Sequence, residues 1–193
     1  MEQNSKSGAK VEGHIVSRRM VDLDVVNKNT YRVECFASDG TLKWVEERQN
    51  LVTNEGLNDV LDKYLKGSSY TAAFYVGLID NASFSAIAAG NVASDISVST
   101  ATNGWIEFDD YSEGVRQTLT LGTVSSQSVD NSASKAAFSI DATGTVNGAF
   151  VVTTSTVGGT TGVLYGAVSF SATRNVENGD TLNVTVTLTQ ASA

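Results

Sequence analysis

Residues 181–189 read Thr181-Leu182-Asn183-Val184-Thr185-Val186-Thr187-Leu188-Thr189, the cleanest alternation in the chain. Leu182, Val184, Val186 and Leu188 point one way, and the threonines with Asn183 point the other. A period of two is the period of a strand, and an apolar face opposite a polar one belongs to a sheet with one side on a core and one in water. That single strand sets the expectation for its neighbours.

Working back from it, Val-, Thr- and Phe-rich runs recur at 105–109, 115–123, 135–141, 146–154 and 162–172. Asn147-Gly148, Gly158-Gly159 and Asn178-Gly179 punctuate them, read as turns. Phe74 to Ile79 is a short apolar run of the kind a buried strand shows, and 80–104 reads as a long Ala-, Ser- and Asn-rich loop holding a helical turn. Short strands with turn signals between them predict an antiparallel β-sandwich or jelly-roll-like domain. No helices alternate with the strands, which disfavours a parallel α/β sheet, and no fixed period marks a solenoid or propeller.

Tyr31, Val33 and Cys35 alternate with Arg32 and Glu34, Asp39-Gly40 follows, and Leu42 and Trp44 resume the pattern. This predicts a β-hairpin over 31–48 with a two-residue turn. Beyond it, Leu57, Val60, Leu61, Tyr64 and Leu65 form one helical stripe. Thr53 or Asn54 caps its start, Glu55 suits the positive end of the dipole, and Gly67 stops it. One stripe means the helix docks on a sheet or on a neighbouring subunit. The resulting organisation is an N-terminal arm over 1–30, a hairpin over 31–52, and a helix plus sandwich over 53–193.

Composition narrows the classes of function. The chain has 193 residues, 41% of them hydrophobic, and a formal net charge of −8. Residues 71–193 contain three basic and ten acidic residues, so a net −7 sits there, which disfavours nucleic acid as partner. The single cysteine, Cys35, allows no intrachain disulfide and fits folding in a reducing cytoplasm. The N-terminal residues lack the profile of a signal peptide, and no apolar run approaches membrane-spanning length, so neither export nor a membrane is expected. Proline is absent, leaving turns to Gly, Asn and Asp.

Residues able to run chemistry are scarce. His14 is the one histidine, and with Cys35 it cannot complete a Cys/His zinc site or a well-oriented triad. Glu107, Asp109, Asp110 and Glu113 form an acidic cluster; paired carboxylates for sugar cleavage or calcium ligands are the functional readings, and an exposed strand end is the plainer one. Val157 to Gly162 lacks the lysine and spacing of a phosphate loop. Arg18 and Arg19, with Lys10, offer a basic arm for an acidic partner, or simply a solvated surface. Trp44 is either a core residue or an interface anchor. No catalytic, cofactor or metal residues are assigned; Arg18, Arg19 and Trp44 are the partner-binding candidates.

The stretch Asn50-Leu51-Val52-Thr53-Asn54-Glu55-Gly56-Leu57-Asn58 resembles the opening of a group of tailed-bacteriophage structural proteins. The likeness continues through Phe74 to Leu78, Gly104-Trp105 with Glu107, Tyr111 with Arg116, Gly148-Ala149-Phe150, Gly162 to Tyr165 and Gly179 to Leu182, covering about 31–193. It implies a non-enzymatic virion component, first a capsid decoration or cement protein whose partners are the major capsid protein and copies of itself. The N-terminal arm would then extend across neighbouring subunits. A tail or adaptor component is the second reading. A carbohydrate-binding host-attachment module is the third, with Trp105 and Tyr111 as its candidate aromatics.

Overall fold

The computed structural model describes residues 25–70, 73–82, 85–99 and 104–192. In chain order these form β1 (Val25–Asn27), β2 (Thr30–Phe36), β3 (Leu42–Gln49), β4 (Leu51–Val52) and helix α1 (Asn54–Val60), which runs on as a π-helical turn over Leu61–Leu65. There follow β5 (Tyr75–Asp80), a 3₁₀ turn (Ala93–Asp95), β6 (Ile96–Ser97), β7 (Trp105–Phe108), β8 (Gln117–Thr118), β9 (Ser128–Asp130) and β10 (Ala136–Ser139). Three longer strands close the chain: β11 (Gly144–Val152), β12 (Leu164–Val176) and β13 (Thr181–Ser192).

The architecture is a two-sheet sandwich. One sheet of six strands is organised on β13, which pairs with β1 and β2 and with β9 and β10, while β3 pairs with β2. The alternation of 181–189 does what its period requires: Leu182, Val184 and Val186 are fully buried, and the threonines are not. Two buried asparagines fill breaks in the ladder. Asn131 donates to the Val184 carbonyl at 3.1 Å and accepts from the Val186 N–H at 2.7 Å, and Asn29 accepts from the Thr189 N–H at 2.9 Å. Each supplies side-chain partners where strand pairing lapses, so the interior backbone groups are satisfied.

The seven-stranded sheet runs β4-β12-β11-β5-β7-β6, with β8 also on β5. Its pairs are antiparallel except β6 with β7, a short parallel contact that departs from the all-antiparallel expectation. Its inner face meets the other sheet in a core of Val76, Leu78, Phe108, Ala149, Val151 and Phe170 against Tyr31, Val33, Phe138 and Val184. Its outer face is covered too: Ile79, Trp105, Phe150, Val152 and Leu164 pack with Ala93 and Ile96 from the 85–99 segment. That is why β5 and β7 read as apolar runs rather than alternations. The predicted loop is a lid on the sheet.

Both long seams between the sheets are stitched. On one side the Trp44 Nε1–H donates to the Asn175 carbonyl and Glu46 accepts from the Ser171 N–H, so side chains of β3 satisfy groups of β12. On the other, Tyr111 bridges Ile140, and the Ser112 N–H donates to the Ser139 carbonyl at 2.9 Å.

Several expectations need adjustment. The hairpin is real, but its loop has three residues, Ser38, Asp39 and Gly40: the Gly40 N–H donates to the Ala37 carbonyl, and Gly40 sits at φ +82°. Asn147-Gly148 is no turn; it lies inside β11 at a bulge. The strand expected over 115–123 shrinks to Gln117–Thr118, and β9 was not anticipated. The arm boundary also moves, since Val25–Asn27 and Thr30 already belong to the sheet.

Helix α1 begins as its sequence specifies, with Thr53 capping through Oγ to the Gly56 N–H at 3.1 Å. It touches the sandwich by a glycine: a Cβ at Gly56 would stand 2.4 Å from the Tyr165 carbonyl oxygen of β12. Helix propensity alone predicts that Gly56→Ala gains up to about 1 kcal/mol. The contact reverses the sign: Gly56→Ala should lower stability by about 1–3 kcal/mol in urea melts, whereas a gain would show that α1 does not sit on β12.

Candidate docking surface

The strongest polar arrangement in the chain is sealed inside it. Glu107 on β7 and Arg116 just before β8 are both completely buried and joined by two parallel bonds of 2.8 Å. Two further guanidinium donors reach the carbonyls of Thr154 and Gly159 at 3.1 Å, and the Gly158 N–H donates to Glu107 at 2.7 Å. Arg116 also lies over the Phe150 ring, 5.2 Å from its centroid. The Gly-rich 153–163 connection is thus wrapped round an ion pair that uses four of the five guanidinium donors. Such a pair holds a loop in place; it has no open position for a substrate.

This corrects the reading of Glu107 as part of an exposed acidic strand end. Asp109 and Asp110 are exposed, with the Asp110 carboxyl raised by partial burial and by Asp109, Asp141 and Asp80, while Glu113 accepts from the Ser139 N–H. The acidic cluster is therefore split by β7, one member inward and the rest elsewhere. Among the described residues no group of three His, Cys, Asp or Glu side chains converges as metal ligands would. Trp105 and Tyr111 are buried, so neither offers a platform for a sugar.

The three partner-binding candidates fare differently. Arg18 and Arg19 lie outside the described residues, as do Lys10 and His14. Trp44 is half-buried in the β3–β12 seam, its ring edge-on to Phe170 at 6.1 Å and under the Arg174 guanidinium at 6.0 Å. Arg174 is itself held by the buried Glu46. Sequence reasoning overlooked Arg116. Its signal was available: in an acidic stretch with three basic residues over 71–193, a lone arginine nine positions after a strand glutamate is a candidate for a buried pair.

What stands open is apolar. The helix docks through Gly56, and Leu57 and Leu61 project roughly 100° and 140° round the axis from it. Leu57, Leu61 and Leu65 are 39%, 54% and 70% exposed, and Tyr64 is 85% exposed. So the stripe does not dock on this sheet. Beside it runs a groove of about 440 Å³ between the helix and the end of the sandwich, walled by Val60, Tyr64, Tyr70, Phe74, Leu121, Tyr165 and Leu188, with Asp59 and Lys63 among its polar lining residues. Glu55 fixes the helix start from below, accepting from the N–H groups of Ala93 at 3.0 Å and Leu164 at 2.6 Å. The face is rigidly held and points outward.

No family model matches the chain, and no curated protein matches it. Among the described residues no helix is long and apolar enough to cross a membrane.

Two measurements check this account of the interior. Glu107→Gln strands Arg116 without its counter-charge and should cost about 3–5 kcal/mol; a loss below about 1 kcal/mol would mean water reaches the pair. Cys35 is fully buried, and burial, with Asp180 alongside, pushes its thiol up to about 12. It should resist thiol reagents at pH 8 in the native protein and react fully in denaturant.

Proposed function

We propose that the chain is a non-enzymatic structural protein of a tailed-bacteriophage particle, a capsid decoration (cement) protein that binds the major capsid protein lattice together with copies of itself. The observation that carries this reading is the outward apolar face of α1 beside an apolar groove. An exposed contiguous apolar surface is a binding surface, since monomeric soluble proteins rarely leave one. The resemblance of 50–58 and the later motifs to phage structural proteins supplies the setting, and the acidic surface supports a protein partner over DNA. Synthesis in the host cytoplasm accords with a single buried thiol.

A tail or adaptor position on the same particle is the second reading, favoured by the same docking face and separated by copy number. The glycan-binding reading loses its two candidate aromatics, because Trp105 and Tyr111 are inside. Mass spectrometry and a density map of purified particles test the proposal. Hundreds of copies on the head are expected; a single ring of copies at the neck or tail would favour the adaptor reading, and particles devoid of the chain would end both.

A further inference from the structure

We propose that the α1 face is where the chain meets a second copy of itself, the two helices crossing antiparallel about a two-fold axis at Leu61. This rests on the docking reading above and gives that surface a first occupant. The leucines stand at 57, 61 and 65, a spacing that reads the same in both directions from Leu61. An antiparallel pair therefore sets Leu61 against Leu61, and Leu57 of one copy against Leu65 of the other, the self-complementarity a two-fold interface demands.

Area and charge favour a copy over other occupants. The open parts of Leu57, Leu61, Leu65, Tyr64 and Tyr70 come to roughly 500 Å² at about 200 Å² for a whole aromatic side chain. Two such faces bury about 1,000 Å², the lower bound for a specific interface. Charge points the same way. Residues 71–193 carry a net −7, so two copies repel across most of their surface. The helical segment is nearly neutral: Asp62 is held by Lys66 at 3.0 Å and Lys63 at 3.5 Å, and Glu55 is turned inward onto backbone N–H groups. The face that is apolar is also the face where an acidic protein can approach its twin.

Light scattering and sedimentation of the full chain across concentration test this. The wild type should reach twice the chain mass, and Leu61→Glu or Leu65→Glu should weaken association by about a hundredfold, because each buries an unpaired carboxylate. Circular dichroism checks that the variants fold, which their exposure predicts. With a mild oxidant added, Leu61→Cys, a milder change, should give a disulfide-linked dimer; Leu57→Cys alone should not, while a mixture of Leu57→Cys and Leu65→Cys should cross-link. A chain monomeric at about 100 µM, well above the range of specific association, would overturn the inference, as would a dimer indifferent to Leu61→Glu or lost only when residues 1–24 are removed. A monomer still found in particles sinks this inference and spares the function; a helix-mediated dimer absent from particles does the reverse.

Discussion

Everything in this fold hangs on the need to satisfy one strand on both sides. β13 runs from Thr181 to Ser192 through the centre of its sheet, with β1 and β2 along one edge and β9 and β10 along the other. None of those partners is long enough to cover it alone. Where the ladder breaks, an asparagine side chain takes over, because a buried N–H or C=O without a partner costs more than any single apolar contact returns. Asn29 and Asn131 are thus structural in the same sense as the leucines beside them.

The second sheet solves a different problem. Covered on both faces, it must accept loops that bring backbone polar groups into an apolar setting. Glu55 and the Glu107–Arg116 pair meet that need, each binding backbone groups of segments that have no ladder of their own. A buried pair of this kind is weak evidence for stability, since an apolar replacement often does as well. Its contribution is to fix where the 153–163 connection lies. Glu107, Arg116, Gly56 and Phe150 are all framework positions, so they speak to architecture and leave the ligand to be argued from the surface.

How much was legible follows from physics. Strands with a wet face announce themselves by alternation, so β2 and β13 could be read directly, and Thr53, Glu55 and Gly67 marked the helix. Asn147-Gly148 misled because the same dipeptide serves turns and bulges, and only the partner strand decides which. β8 and β9 are held by neighbours rather than by their own pattern, so no local signal bounds them. The helical stripe was read correctly as a stripe; that Gly56, not the leucines, would face β12 depends on a close approach that sequence spacing cannot express. For Glu107, the sign of its environment was hidden in Arg116, nine residues away.

The β12–β13 corner has a bearing on how the protein ages. Asn-Gly pairs deamidate when the glycine nitrogen attacks the preceding side-chain amide and closes a five-membered imide ring, expelling ammonia. At Asn178-Gly179 that nitrogen is engaged: its N–H donates to the Ile140 carbonyl at 2.8 Å, and Asp180 next to it is held by Lys43. Ring closure must first break a bond that continues the β10–β13 ladder past Ser139 and Thr181. At this corner the dipeptide most prone to spontaneous decay is thereby kept from it by the fold.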